Sequence, residues 1–149
     1  HTFALFTIIG LLVTKKAFIS ICLYLLLGAV GLPVFSGFKG GIGSLLGVTG
    51  GYLIGFLFTV IVSGTLLHIF SKRNKCTVVS YCVAMVLGLI VCYAFGTLWF
   101  LLLYTNSTGS ISVTSVLSLC VFPFILPDMV KIGLSWYVVK LLKKHIMRL

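Results

Sequence analysis

Asp128 is the only acidic residue in this 149-residue chain, and it lies in the apolar stretch FPFILPDMVKIGLSWYVVKLLKKH at 122–145. A carboxylate at the centre of a membrane helix costs roughly 2.5–3.5 kcal/mol on insertion scales, so this group needs compensation. Pro127 suits the first position of a helix, which would place Asp128 in the first turn, where the helix dipole favours an anion. Lys131 follows three residues later, on the same helical face.

Two interpretations of this acid and cation remain open. In the first, Asp128 and Lys131 form an internal pair that only keeps two charges tolerable at a helix end. In the second, they face a cavity and bind a ligand, because ionisable residues inside a membrane are functional candidates by default.

The segment LPVFSGFKGGIGSLLGVTGGYLIGF at 32–56 holds eight of the sixteen glycines and one cation, Lys39. Its spacing excludes a P-loop, because Lys39 stands between Phe38 and Gly40, and no Gly-x-Gly-x-x-Gly fingerprint occurs. We expect instead that its glycines let a loop turn sharply and approach a bound molecule closely. The glycines concerned are Gly37, Gly40, Gly41 and Gly43.

Lys39 is either a solvated loop lysine or a contact to a ligand. Phe35, Phe38 and Tyr52 add apolar area around it. The second alternative predicts a lid with one cation over a mostly apolar pocket, with Asp128 and a lysine in the pocket wall.

The composition places the chain in a lipid bilayer, because 60% of its residues are hydrophobic and only 8% are charged. A spanning helix needs roughly 20 mainly apolar residues. Five runs reach or approach that length, at 1–14, 17–33, 50–70, 77–104 and 126–145. We predict one all-α polytopic membrane bundle over residues 1–149. Because the first run is short and begins at His1, we expect one further helix before it, six spans in all.

The net charge of +10 does not indicate nucleic-acid binding, because the basic residues concentrate on alternate loops. This arrangement predicts that the basic loops face the cytoplasm, while the glycine-rich loop and TNSTGSIS at 105–112 face outward. The basic residues are Lys15, Lys16, Lys72, Arg73, Lys75, Lys140, Lys143, Lys144 and Arg148.

Other chemistries find little support. The five cysteines contain no CxxC pair and are interpreted as small packing residues: Cys22, Cys76, Cys82, Cys92 and Cys120. The three histidines lack metal-ligand spacing, and no nucleophile has a base at a suitable position, so we expect no metal, no cofactor and no enzyme. Small residues recur every four positions and predict a close helix contact: Gly51, Gly55, Thr59 and Ser63.

The glycine-rich segment together with PFILPDMVK at 123–131 resembles the BioY family, the biotin-specific S components of energy-coupling factor (ECF) transporters. The opening HTFALFTIIGLLV is also similar to the segment after that family's first helix. The resemblance implies a six-helix protein of the bacterial cell membrane that binds biotin from outside. It further implies association with a transmembrane coupling (T) subunit and two ATPase subunits.

By position, the family's binding acid and lysine correspond to Asp128 and Lys131. A polar ligand contact of the family corresponds to Lys39. Leu53 stands where some relatives have an arginine, so Lys39 and Lys131 are the candidates to neutralise the ligand carboxylate. The apolar ring and chain of biotin need contacts, for which Phe35, Tyr52, Phe124 and Trp136 are candidates. The alternatives are an S component for another small anionic vitamin and a membrane scaffold without transport function.

Overall fold

The structure, a computed structural model, describes residues 1–12, 14–35, 37–38, 40–47, 50–72, 77–108 and 113–146. Seven helices occur in these residues, and the predicted all-α fold is confirmed. In chain order they are α1 (Thr2–Leu11), α2 (Thr14–Val30), α3 (Ile42–Leu46), α4 (Gly50–Lys72), α5 (Val78–Thr108), α6 (Val113–Cys120) and α7 (Phe122–Ile146). Arg73, Lys75, Cys76, Arg148 and residues 109–112, on which predictions were made, lie outside the described residues.

Three of these helices, α4, α5 and α7, are long and apolar enough to cross a membrane. The runs predicted at 1–14 and 17–33 fold into shorter helices, α1 with 10 residues and α2 with 17. A helix rises 1.5 Å per residue, so α1 extends over only about 15 Å. The membrane bundle is confirmed, whereas the count of six spans and the helix before His1 remain predictions.

Two predicted loops contain helix. Residues 105–112 were predicted as an outward loop, but α5 continues to Thr108. A helix of this length can be accommodated by tilting or by extending beyond the hydrocarbon core. Gly43 was predicted to lie in a sharp turn, but it belongs to α3, which follows the turn. The sequence analysis also missed α6, a helix of eight residues.

The contact between α4 and α5 confirms the predicted small-residue stripe. A side chain on Gly51 would overlap Trp99, and one on Gly55 would meet Cys92. Further along α4, Thr59 Oγ1 donates to the carbonyl oxygen of Gly88 at 3.1 Å. Ser63 Oγ likewise donates to the carbonyl of Ala84 at 2.8 Å. Small residues therefore bring the two backbones close enough for side chain to backbone hydrogen bonds.

A buried tyrosine connects α1, α5 and α7. Tyr81 Oη on α5 donates to the carbonyl oxygen of Phe6 at 2.9 Å and lies 2.9 Å from Ser135 Oγ on α7. Gly10 makes room for this contact, since a Cβ there would lie 2.7 Å from Val139 and 3.0 Å from the Tyr81 ring. Because α1 and α7 run side by side here, the start of α1 is brought next to Asp128.

All described lysines except Lys131 gather at one end of the bundle, which we call the basic end. It contains the turn between α1 and α2, the end of α4, the start of α5 and the end of α7, all of which line one cavity. Lys15 and Lys16 in the first turn of α2 and Lys72 in the last turn of α4 belong to the same end. This arrangement agrees with the alternation of charge predicted from the sequence.

Gly51→Ala should destabilise the fold, whereas Gly133→Ala should not. The new methyl group at Gly51 would overlap the Cβ of Trp99, which cannot move without the α5 backbone, while nothing lies within 4 Å at Gly133. We expect Gly51→Ala to lower the free energy of unfolding by about 1–3 kcal/mol. Thermal unfolding of the two purified variants, followed by circular dichroism, measures this difference. Equal unfolding temperatures would contradict the close packing of α4 on α5.

Candidate functional site

Asp128 lies at the centre of a buried polar group drawn from three helices. Its side chain is 3% exposed. Thr2 Oγ1 on α1 and Lys131 Nζ on α7 each donate to Asp128 Oδ1 at 2.8 Å. Tyr93 Oη on α5 donates to Oδ2 at 2.5 Å. We call Thr2, Tyr93, Asp128 and Lys131 the carboxylate cluster.

The prediction that Pro127 begins the last helix was wrong. Helix α7 begins at Phe122 and includes Pro127, so Asp128 is not in the first turn. Membrane helices tolerate an internal proline because neighbouring groups compensate for the hydrogen bond that it removes. Asp128 is therefore compensated by donors on α1, α5 and its own helix, and not by the start of a helix.

Lys131 connects the buried acid to a more accessible region. Its Nζ donates to Thr2 Oγ1 at 3.1 Å in addition to Asp128, and its side chain is 35% exposed. The internal pair suggested by the sequence is thus present. An ammonium group has three N–H donors, however, and these two bonds use only two of them. A ligand contact for Lys131, the second interpretation, remains a prediction.

The sequence analysis missed Thr2 and Tyr93. A signal existed for Tyr93, because a tyrosine within an apolar helix usually finds a hydrogen-bond partner for its hydroxyl group. Thr2 gave no comparable signal, since its partner lies 126 residues away and only the packing of α1 on α7 brings the two together.

The glycine-rich segment turns sharply, as predicted. Gly37 and Gly41 have φ angles of +75° and +92°, which side chains disfavour. Gly40 lies against the carbonyl groups of Gly31 and Leu32 with no space for a side chain. Lys39, the predicted cation of this segment, lies outside the described residues.

Hydrogen bonds fix this segment at the same end of the bundle as the carboxylate cluster. The Gly41 N–H donates to the carbonyl of Gly28 at 2.6 Å, at the end of α2. Tyr24 Oη donates to the carbonyl of Val34 at 3.2 Å and lies 3.4 Å from Nδ1 of His1. Because His1 precedes Thr2, the segment and the cluster share one end of the molecule.

Of the predicted aromatic contacts, Phe35 and Tyr52 lie in packed positions, whereas Trp136 lines the cavity at the basic end. Phe35 is 4% exposed, and its ring lies against Gly28 and edge-on to Tyr24. Tyr52 is half-buried, with its ring against Gly96 on α5. Phe38, by contrast, is 89% exposed with a φ angle of +54°. A ligand contact for Phe35 or Tyr52 remains a prediction.

Within the described part of the chain, no group of three or more histidine, cysteine, aspartate or glutamate residues could hold a metal ion. The chemistry of the site is that of the cluster: one buried hydrogen-bond acceptor with negative charge, next to one accessible donor with positive charge.

Comparison with known proteins shows the family. The model of the BioY family matches residues 1–148. This chain belongs to the BioY family. The site predicted from the resemblance therefore rests on a family relationship that extends over almost the whole chain.

Individual BioY relatives support the assignment. The probable biotin transporter BioY of Pyrococcus horikoshii is 38% identical over 117 residues, covering 78% of this chain and 62% of the relative. The biotin transporter BioY of Thermotoga maritima is 35% identical over 87% of this chain and 70% of its own length. The crystal structure of the S-component for biotin from an ECF-type ABC transporter matches with a TM-score of 0.81 at 30% identity. That match covers 96% of this chain and 73% of the other. The chain thus spans between 62% and 73% of the length of these relatives, less than two thirds of the Pyrococcus horikoshii protein.

Tyr93→Phe should destabilise the protein, because it removes the described donor to Asp128 Oδ2 and leaves that buried oxygen unsatisfied. We expect a loss of about 1.5–3 kcal/mol in the free energy of unfolding, the range for hydrogen bonds to charged groups. Tyr137→Phe is the matched control, since Tyr137 on α7 is 56% exposed. Thermal unfolding in detergent measures both. If the two variants unfold alike, Tyr93 does not stabilise the carboxylate.

Proposed function

We propose that this chain is the biotin-binding membrane subunit, the S component, of an ECF vitamin uptake transporter, and that it captures biotin at the outer face. The observation that carries the proposal is the carboxylate cluster in a chain of the BioY family. Ionisable side chains inside a membrane are costly and therefore commonly mark a functional site. Asp128 and Lys131 also lie at the positions where the family resemblance expects the ligand.

The ureido group of biotin offers N–H donors next to a carbonyl acceptor. A carboxylate has about four acceptor positions. Described donors use two positions on Asp128 Oδ1 and one on Oδ2, so Oδ2 can accept one ureido N–H without losing Tyr93. The remaining N–H of Lys131 can donate to the ureido carbonyl. Asp128 thus supplies an acceptor for a ureido N–H, and Lys131 supplies a donor for the neighbouring ureido carbonyl.

This geometry favours Lys39 as the partner of the ligand carboxylate. The sequence left Lys39 and Lys131 as alternatives for that role. Lys131 Nζ lies 2.8 Å from Asp128 Oδ1, so it is held beside the ureido position. The carboxylate lies at the opposite end of biotin, and a cation at that end must come from elsewhere. Lys39 on the glycine-rich segment is the outward cation that the sequence supplies.

Transport needs partners under this proposal. The sequence contains no Walker motif, so the energy must come from other subunits. We infer a transmembrane T subunit and two ATPase subunits, with the chain itself acting as a binding protein without catalysis in a bacterial cell membrane. The relative named as an S-component of an ECF-type ABC transporter supports this assembly.

Biotin affinity of substituted proteins tests the assignment. We expect Asp128→Asn to weaken biotin about ten- to a hundredfold, because the amide loses the charge and offers a competing N–H₂ to the ureido group. Biotinamide, which lacks the carboxylate charge, should be weakened equally. Lys131→Gln should also affect both ligands alike, whereas Lys39→Gln should weaken biotin more than biotinamide. Equilibrium binding with radiolabelled ligands measures the affinity of each variant and of the unsubstituted chain for both ligands.

Lys16→Gln is the matched control for loss of one positive charge, because Lys16 is exposed at the basic end. It should bind biotin normally. Normal biotin affinity in well-folded Asp128→Asn would remove Asp128 from the binding site and leave the internal pair as its only role.

Labelling of single cysteines tests the orientation. After replacement of the five native cysteines, Phe38→Cys should react with a membrane-impermeant reagent added outside intact cells, because Phe38 is 89% exposed on the glycine-rich segment. Lys143→Cys, at the basic end, should react only after the cells are opened. The reverse pattern would place the binding site on the cytoplasmic side and contradict capture from outside.

A further inference from the structure

A second site is suggested by a large cavity at the basic end, far from the carboxylate cluster. The cavity has a volume of about 910 Å³ and lies among α1, α2, α4, α5 and α7. Ligand sites commonly occupy about 300–1,000 Å³. Its lining includes the basic side chains of His68, Lys140, Lys143 and Lys144. It also includes apolar side chains, which we call the apolar wall, among them Ile9, Leu67, Trp136 and Val139.

Within the described residues, no acidic side chain is available to the lysines of this cavity. Asp128 is the only acidic side chain in the sequence, and it is paired with Lys131 near the other end of the bundle. Lys140, Lys143 and Lys144 are spaced i, i+3 and i+4 on one face of α7, where like charges repel one another. Lys140 Nζ lies 5.0 Å from the centre of the Trp136 ring, which offsets part of its charge. Neither Lys143 nor Lys144 has a hydrogen bond or an ion pair to any residue in the described part of the chain.

The apolar wall distinguishes between possible anions. A small anion such as phosphate could meet the lysines but would leave Leu67, Val139 and the Trp136 ring uncovered. An amphiphile with an anionic head and an acyl chain would cover both sides. The positive-inside rule predicts that the basic end faces the cytoplasm. The cytoplasmic leaflet carries anionic lipids, which basic pockets between helices bind.

We propose that this cavity binds an anionic phospholipid of the inner leaflet. The phosphate lies against Lys143 and Lys144, and one acyl chain lies along the apolar wall formed by α1, α4 and α7. The lipid supplies a negative charge that no acidic side chain of the described residues supplies at this end. This site is separate from the biotin site, and lipid binding does not require biotin binding, but both proposals assume that the basic end faces the cytoplasm.

Native mass spectrometry of the purified chain tests the proposal. The protein is presented with equal amounts of dioleoyl phosphatidylglycerol and dioleoyl phosphatidylcholine in mild detergent, and the bound lipids are counted. We expect phosphatidylglycerol to be retained preferentially. Lys143→Gln/Lys144→Gln should weaken that binding roughly 30-fold, which corresponds to about 1 kcal/mol for each lysine.

Lys15→Gln/Lys16→Gln is the matched control, since it removes the same charge at the same end from residues that do not line the cavity. It should leave phosphatidylglycerol binding unchanged. Equal losses in the two double variants would mean that diffuse surface charge attracts the lipid, and the cavity site would be rejected. Circular dichroism checks that both variants are folded, and both should bind biotin with the affinity of the unsubstituted chain.

Competitors separate the lipid from other anions. Inorganic phosphate and the deacylated headgroup glycerophosphoglycerol should displace phosphatidylglycerol only weakly, because neither covers the apolar wall. Displacement by either compound at concentrations comparable to the lipid would assign the cavity to a free anion and overturn the proposal. Equal retention of the two lipids would also overturn it, and would favour an acidic protein surface as the partner of the basic end.

Discussion

Burial of the Asp128 carboxylate is the constraint on which the arrangement of the helices depends. A charged oxygen inside an apolar bundle must be given hydrogen bonds, and the donors come from α1, α5 and α7. Removing one partner from such a group costs more than the pair contributes, because the remaining charge stays buried. The three helices are therefore fixed relative to one another at this point. Lys131 is the fourth member of the group, and its side chain is more exposed than that of Asp128.

Helix α7 connects the two ends of the molecule. It carries Asp128 and Lys131 near its start and the three cavity lysines near its end. Between these regions, Ser135 meets Tyr81, which also bonds to α1. The small-residue contact of α4 with α5 then links this group to the rest of the bundle. Polar contacts thus occur at several depths in an otherwise apolar structure, and each one joins different helices.

The sequence predicted features that depend on near neighbours along the chain. Apolar runs indicated the membrane helices, the spacing of Asp128 and Lys131 indicated their contact, and the four-residue repeat on α4 indicated its close packing. Contacts between distant segments could not be predicted in this way, because Thr2 reaches Asp128 only after α1 packs on α7. The start of α7 was also mispredicted, since Pro127 resembles a helix start when read locally, whereas the helix continues through it. The glycine-rich turn was predicted by glycine content, but α3 after it was not.

The separation of Thr2 from Asp128 along the chain has a consequence for biosynthesis. The two residues are 126 positions apart, and α7 is the last helix of this chain to be made. When α7 enters the bilayer, its carboxylate must find Thr2 and Tyr93 on helices that are already inserted. Until then the described partner on its own helix is Lys131, which can pair with it at once. The ion pair within α7 therefore lowers the cost of inserting the carboxylate into the membrane during synthesis. The hydrogen bonds from Thr2 and Tyr93 stabilise it afterwards, in the folded protein.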